Sequence, residues 1–180
     1  DSREPDLMNN VNVFIDTLRE KSCAFTGQSF LIAMNQLSNH DHSRFLTRTN
    51  QIVGRIGTAG AKMAEFGINY GIFREAIMVQ MTWPGAPTLY YGDEAGVCGW
   101  TDPDNRRTYP WGFENFELIE YHRYLIDLHK KLPALRRGSL KQLLADRQLI
   151  VYGRMSGENK CAVIINNRGE SRSVRVPVWE

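Results

Sequence analysis

The sequence predicts an α/β fold whose first part alternates helices with short buried strands and whose last part is a small antiparallel β unit. Three observations predict it. Apolar residues recur at helical spacing over 7–18, 72–81 and 116–129. Between those stretches stand two short apolar runs without alternation, Phe30–Met34 and Ala86–Tyr91, as in strands covered on both faces. Near Pro133 the pattern changes to short strand-like runs separated by turn residues. Helices placed between short buried strands are the signature of a parallel sheet.

The first helix carries Leu7, Met8, Val11, Phe14, Ile15 and Leu18, with Asp6 as its cap and Pro5 keeping the preceding chain out of it. Thr26-Gly27-Gln28 breaks the pattern ahead of the first strand, and a polar stretch runs from Ser38 to Arg44. Gly54, Gly57 and Gly60 lie three apart, which is not a phosphate-binding spacing, and no strand leads into them, so they read as loop. The helix over 72–81 stops at Pro84-Gly85. Ala86–Tyr91 runs into Gly92-Asp93-Glu94, and the third helix ends at Pro133. Strands are then expected at Leu140–Leu144, Leu149–Arg154, Cys161–Ile165 and Ser171–Val176. Asp146-Arg147, 156–159 and 166–169 are the hairpin turns between them.

Composition excludes several classes. With 180 residues, 42% hydrophobic and 23% charged, the chain is neither disordered, collagen-like nor a coiled coil. A net charge of +2 gives no general drive toward nucleic acid or an anionic membrane. No apolar run approaches the ~20 residues of a membrane helix. Cys23, Cys98 and Cys161 are an odd, widely spaced set with no CxxC pair. They form no disulfide framework and point to no compartment.

In a parallel α/β fold, functional residues gather at the carboxyl ends of strands. That rule selects Asn39–Arg44, and also Tyr90–Glu94 with the following Asp102–Arg107. Together they supply carboxylates, imidazoles and guanidiniums beside aromatic rings. Plainer readings stand next to this one. Asp41 with Arg44 fits a loop salt bridge, Asn39 a cap, and Asp102–Arg107 a charged turn around Pro103. His40, Asp41 and His42 lack the i, i+4 spacing that brings neighbours onto one metal ion. His122 and His129 lie on one helix face and need no function there.

Ser38–Phe45 resembles the fourth signature region of the α-amylase family, glycoside hydrolase family 13, an Asn-His-Asp-x-x-Arg run after the seventh barrel strand. Pro84–Glu94 resembles the eighth strand of the same barrel. Asp102-Pro103-Asp104-Asn105-Arg106-Arg107, followed by Trp111, is similar to the neopullulanase, cyclomaltodextrinase and amylopullulanase branch. The resemblance covers essentially the whole chain, with three motifs in order at fitting distances.

That resemblance implies that residues 1–135 are the C-terminal part of a catalytic (β/α)₈ TIM barrel, strands seven and eight with their flanking helices. Residues 136–180 are then the start of the family's C-terminal all-β domain. It implies a retaining hydrolase of α-glucan, with two carboxylates about 5–5.5 Å apart and a covalent glycosyl intermediate. Asp41 is the third, assisting carboxylate. His40 hydrogen-bonds the same sugar, Asp102 and Arg106 grip its far hydroxyls, and Arg44 orients the loop.

The family's nucleophile and acid/base come from strands four and five, and neither signature context occurs here. Asp16 and Asp127 are on helices, and Glu65 and Glu75 lie in or next to one. The chain is therefore expected to be a fragment, inactive by itself, and to associate with itself or with the missing barrel part. No cofactor or metal is expected, since the family's calcium sites lie mostly in other parts. The expected partner is α-glucan, with neither nucleic acid nor membrane. Two readings of another class stand beside it, a non-catalytic amylase-like protein and a carbohydrate-binding module. Joint retention of His40, Asp41, Asp102 and Arg106 favours the hydrolase.

Overall fold

The computed structural model describes residues 10–146 and 148–178. Its three long helices all start on asparagine caps, whose side-chain oxygens take backbone donors left open by the first turn. Asn10 accepts from Asn12 and Val13 at the start of α1 (Val11–Cys23). Asn69 accepts from Ile72 at 3.0 Å beneath α5 (Tyr70–Thr82). Asn115 accepts from Leu118 at 3.1 Å beneath α6 (Phe116–Lys131). The cap expected at Asp6 lies outside the described residues.

The apolar run at Phe30–Met34 folds differently from the expectation. Its first part is helical, in α2 (Gly27–Ile32), and the strand β1 begins only at Met34 and ends at Gln36. A short apolar run without alternation satisfies a helix turn as well as a strand, so periodicity does not separate them. Strand β2 is Ala86–Thr88, shorter than the run that predicts it, and it neighbours β1 in a two-stranded sheet.

Among the described residues, packing divides the chain into two compact units, one of 34–81 and 87–127, the other of 10–33, 82–86 and 128–178. The first unit contains short helices α3 (Phe45–Arg48) and α4 (Ile56–Ala59) and most of α5 and α6. Its core is the face of α5 carrying Phe73, Ile77 and Met81, together with Leu46, Trp100, Leu118 and Leu125. Spacings of three and four put such residues on one helix face. The Phe73 ring lies 6.2 Å from Phe45 and 6.4 Å from His122. Gln80, on α5, donates to the Asn35 carbonyl at 3.1 Å and the Thr88 carbonyl at 2.8 Å. One buried amide thus links β1 and β2 where the site loops leave them.

The second unit is built on an antiparallel meander, β3 (Ser139–Asp146), β4 (Leu149–Ser156) and β5 (Asn159–Asn166), with β4 in the centre. The expected turn at Gly157-Glu158 closes the second hairpin with Gly157 at φ 55°. That left-handed conformation suits glycine. The fourth expected strand, Ser171–Val176, does not form, and 171–178 run without regular structure. Pro133 both ends α6 and opens a further short helix, α7 (Pro133–Arg137), because a first-turn proline has no needed donor to lose. Arg154 is fully buried on β4 and donates to the Thr82 and Gly138 carbonyls.

Candidate functional site

The loop after β1 is shaped by Asn39. Its side-chain oxygen accepts from the Asp41 amide at 2.9 Å and the His42 amide at 3.1 Å, an Asx turn that lifts His40 and Asp41 outward. Nε2 of His40 lies 3.4 Å from Oδ1 of Asp41, and both side chains are exposed. Exposed groups keep their hydrogen-bonding capacity for a ligand instead of spending it on the fold.

Arg44 goes the other way. Its side chain is wholly buried and pairs at 3.0 Å with Asp93, not with Asp41 as a loop salt bridge would require. It also donates to the Tyr91 carbonyl at 2.6 Å and the Asn105 carbonyl at 2.9 Å. The guanidinium stacks 4.0 Å from the centroid of the Tyr90 ring and 4.8 Å from that of Tyr91. Planar, always-charged Arg suits such a role, donating in plane and stacking out of plane. Burial pushes the Asp93 carboxyl up to about 6, although hydrogen bonds and charge from Ser38 and Arg44 pull the other way.

Asn105 joins the two predicted segments. It is fully buried, and its amide donates to the Asn39 carbonyl at 3.1 Å and the His42 carbonyl at 2.8 Å. These partners stand 66 and 63 residues away in the chain. Next to it Asp102 and Arg106 form an exposed ion pair. The Arg106 guanidinium is held above its ordinary range chiefly by the hydrogen bond to Asp102, with the charges of Asp102, Tyr90 and Asp41 adding to it. Asp41 therefore acts electrostatically on Arg106, and the two loops meet.

Behind this pair Arg107 supports the loop. It forks onto Asp104 at 3.0 and 2.9 Å and pairs with Glu65. Asp104 in turn accepts from the Trp100 amide at 2.8 Å. The Tyr91 hydroxyl donates to the Arg107 carbonyl at 2.8 Å. No group of three or more His, Cys, Asp and Glu side chains able to hold a metal occurs among the described residues. None of their helices is long and apolar enough to cross a membrane.

No protein-family model matches the chain. It is 37% identical to neopullulanase 2 of Thermoactinomyces vulgaris over 150 residues, 81% of this chain and 23% of that enzyme. It is 31% identical to the cyclomaltodextrinase of Geobacillus thermopakistaniensis over 169 residues, 92% of this chain and 26% of that enzyme. The crystal structure of the Nostoc punctiforme debranching enzyme superposes with a TM-score of 0.77 at 30% identity, over 94% of this chain and 31% of that one. Its acarbose-soaked form superposes with a TM-score of 0.69. By sequence and by fold, the chain belongs to the α-amylase family. It spans about a quarter of the length of the curated relatives named here. As an α-amylase-family chain it carries the C-terminal part of the TIM barrel, with β1 and β2 as strands seven and eight, followed by a small antiparallel β unit.

Asn105 and Asp93 lie inside the segments selected from the sequence and residues 109–113 lie just beyond them, but the individual part each plays comes only from the structure. Asn105 was one polar residue inside a charged run, and its signal is that a lone amide sits between Asp104 and Arg106. Asp93 stands five positions after the end of β2, and nothing in its sequence context marks it as the partner of Arg44. Tyr109-Pro110-Trp111-Gly112-Phe113 interleaves aromatics with turn formers, which signals rings presented on a turn.

Proposed function

We propose that the chain is the part of a retaining α-glucan hydrolase that holds the sugar at the cleavage subsite. The supporting observation is the Asn105 amide, which holds the His40–Asp41 turn against the Asp102–Arg106 pair. Asp41 accepts from hydroxyls of that sugar and favours its flattened, cationic form. His40 donates to the same ring, and Asp102 with Arg106 grips its far edge. Binding the distorted ring better than the relaxed one raises kcat, whereas equal binding of both does not. The nucleophile and the acid/base are supplied by residues outside 1–180, as are any calcium sites. Residues 1–135 serve the barrel and 136–180 begin the C-terminal β domain. The other partner is the remaining barrel, or a second copy, for which Ile32 at 74% and Met34 at 63% exposure offer apolar surface beside β1.

Maltotriose titrated into the 15N-labelled chain tests this reading. The amide signals of 39–44 and 102–107 shift, Asp102→Asn abolishes the shifts, and no reducing sugar is released. Unshifted loops, or cleavage in proportion to protein, would overturn it.

A further inference from the structure

A second aromatic feature stands beside the sugar loops and plays no part in the contacts described above. Trp111 is 78% exposed and Phe113 is 89% exposed, the two most exposed large apolar side chains among the described residues. A single exposed apolar side chain is ordinary, but large rings exposed together on one turn form a patch, which is the informative case. The turn that carries them is ordered. Trp111 donates its amide to the Tyr109 carbonyl at 2.9 Å, Phe113 donates to the Pro110 carbonyl at 2.9 Å, and Gly112 takes a φ of 83°.

Both ends of the turn are tied to the loop after β2. Ahead of it the Tyr91 hydroxyl holds the Arg107 carbonyl, and behind it Asn115 donates to the Ala95 carbonyl at 3.1 Å. Burial and the neighbouring charges of Glu94 and Glu114, together with a hydrogen bond to Glu94, raise the Tyr109 phenol. Tyr109 thus contacts the residue next to Asp93. Its ring backs the Trp111 ring, with centroids 4.4 Å apart and planes at 46°. Only five residues of chain lead from Arg106 to Trp111, at most about 18 Å.

We infer that Trp111, backed by Tyr109 and flanked by Phe113, is a stacking platform for a further glucose unit of an α-glucan chain whose end lies at Asp102 and Arg106. A pyranose ring is apolar on its C–H face and polar around its hydroxyl rim. It matches an aromatic pair bordered by Glu94 and Glu114. A protein partner would need a larger continuous apolar patch than two or three rings on one turn. Because the turn is already ordered, little freedom is lost on stacking. The inference rests on the proposed glucan reading of the Asp102–Arg106 loop and adds a subsite to it.

Calorimetric titration of the chain with maltose and with maltohexaose separates the two. Wild type binds maltohexaose at least fivefold more tightly than maltose. Trp111→Ala abolishes that difference while leaving maltose affinity unchanged, and Trp111→Tyr restores most of it. The ring is exposed, so its removal threatens the fold little, and an unchanged circular dichroism melt checks this. If Trp111→Ala binds both sugars as wild type does while Asp102→Asn binds neither, the platform is overturned and the glucan reading stands. If wild type binds neither sugar, the glucan reading fails and the platform with it.

Discussion

Arg44 and Asp93 pair at 3.0 Å with side chains 0% and 3% exposed, directly beneath the loops that carry the candidate site. A buried pair of this kind stabilises little by itself, because two desolvation costs offset the attraction. Its value is positional, since the same guanidinium also holds the carbonyls of Tyr91 and Asn105. Arg44→Met should cost about 3–5 kcal/mol, the usual penalty for leaving a buried charge without its partner. Arg44→Met combined with Asp93→Asn should recover part of that loss. Urea denaturation of the three proteins checks both, and equal stability of single and double variants would show that the pair is uncoupled.

Asp93 also sets a pH dependence. Its folded pKa is about 6 against an ordinary 3.8, so between those values the folded chain binds more protons than the unfolded one. Stability from this group therefore rises as pH falls from 6 to 4 and is lost as pH rises through 6. Two units of difference correspond to roughly 3 kcal/mol at most. Urea melts of wild type and Asp93→Asn at pH 4 to 7 should diverge with this sign, wild type losing relative stability toward pH 7.

Asn105→Leu should cost about 1–3 kcal/mol, because it removes the donor from the part-buried Asn39 and His42 carbonyls. It should also loosen the turn they belong to. Hydrogen exchange at the Asp41 and His42 amides reads that directly, and protection equal to wild type would mean Asn39 holds the turn alone.

Gly99→Ala should disrupt the loop more than its single methyl suggests. A Cβ there would collide with the Asp104 carbonyl and lie 2.8 Å from Cα of Asn105. The Gly99 backbone is fixed on both sides, donating to Thr47 at 2.8 Å and accepting from Arg44 at 2.9 Å, so it has nowhere to move. A loss of about 1–3 kcal/mol is expected for such overpacking. Thermal melting checks it.

In an intact enzyme carrying these residues, Asp41→Asn should lower kcat by about 10²–10⁴ while leaving the fold unchanged, the range for losing one partner of the developing charge. The side chain is 68% exposed and supports little structure. Steady-state kinetics decide, and a near-normal kcat would reduce Asp41 to a loop residue.

Local chemistry made much of this legible in the sequence. Apolar residues at spacings of three and four marked α5 and α6 because a helix that packs on a core must bury one face, and Phe73, Ile77 and Met81 do so. Turn residues spaced between short apolar runs marked β3, β4 and β5. The segments carrying His40, Asp41, Asp102 and Arg106 were marked by their place after apolar runs, and these four residues were singled out by the family resemblance. The boundary at Phe30–Met34 was not, because a five-residue apolar run carries no period that separates helix from strand.

What the sequence by itself determined was which polar and charged side chains follow the short strands and which elements carry them. What only the tertiary structure decided was the partnership between them. Arg44 has Asp41 three residues before it and Asp93 far along the chain, and it pairs with Asp93, which is buried with it, while Asp41 is exposed. Asn105 reaches carbonyls 66 and 63 residues away because its buried amide has no water to take its protons. Sequence spacing is blind to such pairings, since they are set by which polar groups are left together once water is excluded.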